Sequence, residues 1–208
     1  MDAGTLHIGT DRSHVPGTSD GAGAGVLASY RDSERILKVG CKCEVEGGIS
    51  SLTMEQYGLM SGIMALWTLL AMHREPTRRT VVYTWIDNAE TLRRINECNE
   101  TKLHLNDYAI SDYGVYTLVC EAILKLPKKV SIECKKIKSH QDLEINGAHE
   151  LSFEARLNMA ADEYANYIRT TVVGPQNVFP VYKPEGLVII DNCGCKVKDI
   201  AKYLKEVI

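Results

Sequence analysis

The chain has 208 residues, a hydrophobic fraction of 45%, a charged fraction of 25% and a formal net charge of −3. These values are typical of a globular chain with about one domain and exclude a disordered or fibrous protein. The slightly negative charge also excludes a global basic field, so any contact with nucleic acid has to come from a local basic patch.

Three strands are predicted at the start of the chain. The first runs from Thr5 to Thr10 and is followed by a polar turn from Asp11 to Asp20. The small-residue segment GAGAGVLASY, residues 21–30, forms the second strand, and the third runs from Arg35 to Val45. Because short turns separate these strands, the sequence predicts an antiparallel meander.

Helices and strands alternate after the meander, with a loop at residues 100–110. The predicted elements are a helix at Thr53–Met72, a strand at Thr80–Ile86, helices at Asn88–Asn99 and Ser111–Leu126, a strand at Val130–Ile137 and a helix at Leu151–Val172. This order predicts an α/β fold with a five-stranded mixed sheet, in which three antiparallel strands precede two parallel ones and helices cover both faces.

The end of the chain is predicted to be an extension of this domain. Residues 174–186 contain three prolines, so we place the domain at residues 1–173 and a linker, hairpin and short helix at residues 174–208. The hairpin is centred on Asp191–Asn192, and the helix covers Asp199–Ile208.

The first long helix carries no charge from Gln56 to Met72. This run is shorter than the ~20 apolar residues that a membrane span needs, and it contains Gly and Ser. We therefore expect a buried helix and no membrane contact.

The seven cysteines are an odd number, and MDAGTLHIGTDRS has neither the basic start nor the apolar run of a secretory signal. We expect reduced thiols and an intracellular protein that is not secreted. Two C-x-C pairs, Cys41/Cys43 and Cys193/Cys195, leave a zinc site open as an alternative.

Four acidic residues lie where a buried fold does not ordinarily place them: Asp11, Glu55, Asp87 and Asp162. Each has a structural alternative. Asp11 is compatible with a turn, and Glu55 with a residue in the first turn of a helix, where the helix dipole favours a negative charge. Asp87 is a candidate helix N-cap, and Asp162 is compatible with a solvated neighbour of Glu163.

The four carboxylates are nevertheless predicted to converge. If the first and fourth strands pair in parallel, Asp11 and Asp87 meet at the C-terminal edge of the sheet, where open α/β sheets bind ligands. Crowded carboxylates repel one another unless cations join them, and oxygen ligands suit Mg²⁺ or Mn²⁺. Two such ions assist in-line displacement at a phosphodiester.

Five motifs carry a resemblance to a known family. TDRS (10–13), MEQYGL (54–59), WIDN (85–88), IKSHQD (137–142) and NMAAD (158–162) resemble, in the same order, the ribonuclease H domain of retroelement (LTR-retrotransposon-like) reverse transcriptase polyproteins. The resemblance implies the ribonuclease H-like fold and two Mg²⁺ or Mn²⁺ ions. It also implies an RNA/DNA hybrid substrate and the reverse transcriptase portion of the same polyprotein as a partner.

The resemblance also implies roles for the four carboxylates. Asp11 would bridge both metals, Glu55 and Asp87 would hold the metal on the leaving-group side, and Asp162 would hold the metal that activates water. In many members of the family the first Asp is followed by Gly, whereas this chain has Arg12.

Two further residues match family positions. His140 matches a mobile histidine that assists proton transfer or product release, with an ordinary loop histidine as the alternative. Asn158 precedes Asp162 by one helical turn and is expected to orient its carboxylate.

Substrate contacts are expected from residues near the carboxylates and from a lysine-rich edge strand. The candidates are Arg12, Ser13, Asn88, Lys128, Lys129, Lys136 and Lys138. Cations of this kind bind the phosphates of a duplex. The alternative for the lysines is a solvated edge strand that discourages aggregation.

The predicted function is hydrolysis of the RNA strand of RNA/DNA hybrids by a metal-dependent endonuclease, in the cytoplasm, a retroelement particle or the nucleus. One alternative is a nuclease of the same fold that acts on DNA, of the integrase or resolvase type. The other is a non-catalytic nucleic-acid-binding or spacer module. The sequence does not determine the oligomeric state.

Overall fold

The computed structural model describes residues 6–18, 20–30, 32–44, 50–72, 78–100, 113–138 and 151–172, together with the backbone of 187–190 and 193–196. Within these ranges the chain forms seven strands and four helices. They are β1 (Leu6–His14), β2 (Asp20–Ser29), β3 (Asp32–Glu44), α1 (Ser51–Met72), β4 (Thr80–Ile86), α2 (Ala89–Glu100), α3 (Tyr113–Leu124), β5 (Val130–Lys136), α4 (Phe153–Thr171), β6 (Leu187–Ile190) and β7 (Cys193–Lys196).

All described strands belong to one mixed sheet, in the order β5-β4-β1-β2-β3-β6-β7. The β1-β2 and β2-β3 pairs are antiparallel, and the β1-β4 and β4-β5 pairs are parallel. This arrangement confirms the predicted meander followed by two parallel strands. It brings the C-terminal ends of β1 and β4 to the same edge of the sheet.

The predicted end of β1 is wrong, because the strand continues through Asp11 to His14. Its parallel ladder with β4 stops at Gly9 and Trp85, but its antiparallel ladder with β2 continues to the His14–Gly21 pair. Asp11 therefore lies on a strand that is paired on one side only. That placement leaves its side chain next to the end of β4.

The sheet carries helices on both faces, as predicted. Ile8 contacts α1, since a Cβ on Gly62 would lie 2.4 Å from its Cγ2 atom. A Cβ on Gly9, the next residue, would instead lie 2.5 Å from the backbone of Leu157 in α4. Neighbouring residues of a strand point to opposite faces, so α1 and α4 lie on opposite sides of β1.

The approach of α1 to the sheet depends on glycine. A Cβ on Gly23 of β2 would lie 2.3 Å from the backbone nitrogen of Gly58 in α1. A Cβ on Gly58 would lie 2.5 Å from the carbonyl oxygen of Asp11. These distances are shorter than real Cβ contacts, so helix and sheet touch backbone to backbone at this point.

The main core lies between the sheet and α1, α2 and α3. It includes Ile8 of β1, Val82 and Ile86 of β4, Ile63 of α1 and Val119 of α3. Most of α1 is buried, which confirms the predicted buried helix. Within the described ranges, none of the four helices combines the length and the hydropathy of a membrane span.

The C-terminal hairpin extends the sheet. Strands β6 and β7 pair antiparallel on either side of residues 191–192, which confirms the predicted hairpin. The prediction of five strands omitted the pairing of β6 with β3, where Val39 faces Ile190 and Gly40 faces Ile189. The predicted terminal helix and the proline-containing segment 174–186 lie outside the described residues, and the domain boundary stays a prediction.

The cysteines differ in state. Cys41 and Cys134 are reduced, whereas Cys120 takes part in a disulfide, so the expectation of reduced thiols is wrong at Cys120. Burial raises the pKa of the Cys134 thiol to about 12. The zinc alternative stays untested, because the side chains of Cys43, Cys193 and Cys195 lie outside the described residues.

Candidate active site

Three of the four predicted carboxylates meet at the edge where β1 and β4 end. Asp11 of β1, Glu55 of α1 and Asp87, which follows β4, each offer an oxygen atom, and these atoms all lie within 4.8 Å of one another. The parallel pairing of β1 with β4 brings the two aspartates together. The backbone contact between α1 and the sheet brings Glu55 to them.

Asp87 is not the N-cap of α2. The cap is the next residue, Asn88, whose Oδ1 accepts hydrogen bonds from the backbone nitrogens of Glu90 at 3.0 Å and Thr91 at 2.9 Å. The Oδ1 atom of Asp87 is buried and has no hydrogen-bond partner. Because Asn88 already satisfies the first turn of the helix, the Asp87 carboxylate remains available for a ligand.

Glu55 is almost completely buried, with 1% of its side chain exposed. Helix α1 begins at Ser51, so Glu55 falls outside the first turn, where the helix dipole would favour it most. Ser50 caps this helix, since its Oγ accepts a hydrogen bond from the Thr53 backbone nitrogen at 2.9 Å. The Oε2 atom of Glu55 is buried and has no hydrogen-bond partner.

The surroundings of Glu55 oppose its ionisation. Burial raises its pKa well above the ordinary value, and the charges of Asp87 and Asp11 raise it further. The Arg12 guanidinium acts in the opposite direction, with its Nε atom 2.8 Å from Glu55 Oε1. The Nε–H group is poorly aligned with the Glu55 oxygen, so the contact depends chiefly on charge.

Asp11 is held by two hydrogen bonds. Its Oδ1 accepts from the backbone nitrogen of Arg12 at 2.7 Å, and its Oδ2 accepts from Nδ2 of Asn158 at 3.1 Å. The same Nδ2 atom donates to the carbonyl oxygen of Thr10 at 2.9 Å. Burial, followed by the charge of Asp87, raises the pKa of Asp11 to about 7.

Asp162 lies on α4 at a distance from the tight group. Among the described residues, the group within 4.8 Å contains Asp11, Glu55 and Asp87 but not Asp162. Its charge is still near enough to raise the pKa of Asp11. The hydrogen bonds of the Asn158 amide go to Thr10 and Asp11, whereas the sequence interpretation assigned Asn158 to Asp162.

The remaining predicted residues lie around this centre or outside the described structure. Ser13 accepts a hydrogen bond from Nε of Arg169 at 2.8 Å, which ties β1 to α4. Lys128, Lys129, Lys136 and Lys138 are exposed on β5 and its flanking turns, at one edge of the sheet. His140 lies outside the described residues, so its role stays a prediction.

Two features were missed by sequence reasoning. The first is the placement of Arg12 on Glu55, which follows from the continuation of β1 past Asp11. The second is Lys135, whose Nζ lies 4.0 Å from the centre of the Tyr83 ring and 5.8 Å from that of Trp85. The alternation of β5 placed Lys135 on the face away from Lys136, but no sequence signal identified its aromatic partners.

The donor set fits a hard divalent cation. It consists of carboxylate oxygens only, as Mg²⁺ and Mn²⁺ prefer. Two of these oxygens, Oε2 of Glu55 and Oδ1 of Asp87, are buried without a hydrogen-bond partner, which is costly unless another group binds them. A cation among the three carboxylates would satisfy both atoms and offset the mutual repulsion.

Comparisons with known proteins give the fold. No protein-family model matches the chain, and no curated protein sequence matches it. The structure is similar to that of LC11-RNase H1, isolated from compost by a metagenomic approach, with 12% identity and a TM-score of 0.53 over 82% of this chain and 99% of that one. The chain has the ribonuclease H-like fold.

Two further solved structures are less similar. LC11-RNase H1 in complex with an RNA/DNA hybrid has 12% identity and a TM-score of 0.48, over 74% of this chain and 98% of that one. The protease-reverse transcriptase of prototype foamy virus has 15% identity and a TM-score of 0.47, over 81% of this chain and 21% of that one. At these identities the likeness concerns the fold alone.

Proposed function

We propose that the chain is a metal-dependent endonuclease that hydrolyses the RNA strand of RNA/DNA hybrids. The observation that carries this proposal is the group of three carboxylates within 4.8 Å at the edge of a ribonuclease H-like sheet. The two buried and unpaired oxygens of Glu55 and Asp87 support a cation site rather than a solvated acidic surface. The proposed cofactor is Mg²⁺ or Mn²⁺, with two ions per site.

The residues of the chain have separable roles in this proposal. Two divalent ions, when bound, would supply Lewis-acid stabilisation of the phosphodiester and an activated water. Asp11 would hold both ions, Glu55 and Asp87 one of them, and Asp162 the other. The hydrogen bonds from Asn158 and the Arg12 backbone fix the Asp11 carboxylate before any ligand arrives.

His140 and the basic residues complete the proposed machinery. His140 would move a proton or assist product release, because an imidazole of ordinary pKa titrates near neutral pH. The exposed lysines Lys128, Lys129, Lys136 and Lys138 would bind backbone phosphates of the hybrid. Contacts of this kind position a duplex without reading its sequence, which suits an enzyme that acts along a reverse transcript.

We also propose that the domain belongs to a retroelement polyprotein and works beside its reverse transcriptase portion. The support is the order of the motifs TDRS, MEQYGL, WIDN, IKSHQD and NMAAD along the chain. Reading the transcript that encodes the chain tests this context. We expect a reverse transcriptase reading frame in phase with it, and a stand-alone gene would contradict the proposal.

A cleavage panel tests the activity. The protein is incubated with an RNA/DNA hybrid, a DNA duplex and an RNA duplex, each in Mg²⁺, in Mn²⁺ and in EDTA. We expect cleavage of the RNA strand of the hybrid alone, with 5′-phosphate and 3′-hydroxyl ends and no cleavage in EDTA. Preference for the DNA duplex would favour the integrase or resolvase alternative, and an inert protein in both metals would favour the non-catalytic module.

A further inference from the structure

A cation of the chain itself lies within the candidate metal centre. The Nε atom of Arg12 is 2.8 Å from Oε1 of Glu55, and the exposed fractions of the two side chains are 30% and 1%. Among the described residues, this is the one ion pair that involves Asp11, Glu55 or Asp87. The guanidinium therefore neutralises part of the crowded negative charge.

We propose that Arg12 is an internal counter-ion that competes with the divalent cation for Glu55. This inference rests on the proposed function, because it assigns Glu55 to the metal. The cation would bind the Oε2 atom, and the guanidinium on Oε1 of the same carboxylate would repel it and share the carboxylate charge. Binding of the metal at Glu55 therefore weakens the Arg12 contact and favours rotation of that side chain away from the carboxylate.

The geometry makes this departure feasible without a change of fold. The backbone of Arg12 is fixed, since the residue pairs with Gly23 in the β1-β2 ladder and its nitrogen donates to Asp11. The side chain alone has to rotate, and part of it already faces solvent. Its contact with Glu55 lacks an aligned Nε–H bond, and its Nη1 is 3.4 Å from Nδ1 of His14. A charge pair without aligned hydrogen bonds is easier to exchange than a bidentate fork.

The competition has two opposite consequences. Without metal, Arg12 stabilises the folded protein, because an unpaired carboxylate in the position of Glu55 would be costly. With metal, the guanidinium repels the cation unless it gives up Glu55, so the net affinity of the site is lower than the carboxylates alone would give. Removal of Arg12 should therefore weaken the metal-free protein and tighten the binding of metal.

Calorimetric titration with Mn²⁺ alone tests the second consequence. We expect Arg12→Gln to bind Mn²⁺ about tenfold more tightly than the wild type, because no guanidinium then competes with the cation for the charge of Glu55; tenfold corresponds to roughly 1.4 kcal/mol. Arg12→Lys, which keeps the charge but not the planar fork, should lie between them. Arg93→Gln removes one positive charge from the exposed surface of α2 and should leave the affinity unchanged.

Thermal unfolding in EDTA tests the first consequence. Arg12→Gln should lower the melting temperature by roughly 5 °C, because Glu55 loses its counter-ion. The double variant Arg12→Gln/Glu55→Gln should recover much of this loss, since no buried charge is left without a partner. Circular dichroism before heating establishes that each variant is folded, and Arg12→Lys replaces Arg12→Gln if the latter is not.

Each outcome has one meaning. Equal or weaker binding of Mn²⁺ by Arg12→Gln overturns the competition, while the proposed function stands if the wild type binds Mn²⁺ and cuts the hybrid. Binding by Arg12→Gln but not by the wild type supports the competition and contradicts catalysis by the natural chain. Absence of binding in both proteins overturns the metal centre and the competition together.

Discussion

Acidic residues at the sheet edge and on the surface of α2 have pKa values shifted in opposite directions. On α2, Glu90 accepts hydrogen bonds from Arg93 and Arg94, which lower its pKa to about 2. At the sheet edge, burial and like charges raise the pKa of Asp11 to about 7. Arginines thus fully pair the exposed carboxylate of α2, whereas at the sheet edge one oxygen of Glu55 and one of Asp87 remain buried without a hydrogen-bond partner.

This difference separates a structural charge network from a candidate site. The pairs on α2 are exposed and spaced by three or four residues, so they contribute modestly to the stability of one helix. The carboxylates at the sheet edge come from three separate parts of the chain, and two of them, Glu55 and Asp87, have a buried oxygen without a hydrogen-bond partner. Perturbed groups of this kind are concentrated at functional sites.

The largest expected effect is loss of cleavage in Asp87→Asn. The amide keeps the shape of the side chain but removes the charge that would hold the cation, so cleavage of the hybrid should fall by about 1,000-fold or more. Single-turnover cleavage in Mg²⁺ measures the effect. Glu97→Gln, on the exposed surface of α2, is the matched control and should cleave at the wild-type rate. Comparable cleavage by Asp87→Asn and wild type would remove Asp87 from the site.

The next effect concerns pH and the stability of the metal-free protein. Asp11 has a higher pKa in the folded protein, about 7, than the ordinary value of 3.8, so the folded state keeps its proton where the unfolded state has lost it. Stability from this group is therefore fully present below pH 3.8 and declines as the pH rises towards 7. Each unit of difference corresponds to roughly 1.4 kcal/mol, before relaxation of the site.

Denaturant unfolding in EDTA at several pH values measures this dependence. The Asp11→Asn variant should show a flatter decline between pH 4 and about 7 than the wild type, because its amide does not titrate. Saturating Mn²⁺ should reverse the trend in the wild type, since the cation binds the ionised carboxylates. An identical pH dependence for both proteins in EDTA would show that Asp11 is not the perturbed group.

The smallest effect is expected on α2. Glu90→Gln should lower the free energy of unfolding by only a few tenths of a kcal/mol, because its pairs with Arg93 and Arg94 are exposed and screened by salt. The sign follows from the lowered pKa of Glu90: its contribution is present above pH 4.5 and is lost as the pH falls towards 2. Chemical denaturation at low and high salt measures it. A loss as large as that of a site variant would contradict the division between the two regions.

The sequence predicted most of the fold because the relevant patterns are local. The β-branched and aromatic run of β4 has its predicted bounds, Thr80–Ile86. The end of β1 was wrong because Arg12, Ser13 and His14 look like turn residues, and only the pairing with β2 keeps them extended. The pairing of β6 with β3 was likewise missed, since strand partners far apart in the chain leave no periodic signal.

The candidate site was predictable in composition but not in detail. Asp11, Glu55 and Asp87 were named from charges in apolar surroundings, and the structure brings these three together. Sequence alone could not decide whether Asp87 or Asn88 caps α2, because both residue types are good caps. Nor could it give the partner of Asn158 or of Arg12, as each contact depends on how the elements pack rather than on spacing.

The backbone contact between Gly58 and Asp11 determines how closely Glu55 approaches the aspartates of the candidate site. Gly58 follows Glu55 by three residues, and a Cβ there would meet the Asp11 carbonyl oxygen at 2.5 Å. A single methyl group at Gly58 would push α1 away from the sheet and increase the distance between the Glu55 and Asp11 carboxylates. The distance between these two carboxylates therefore depends on the direct backbone contact between α1 and β1.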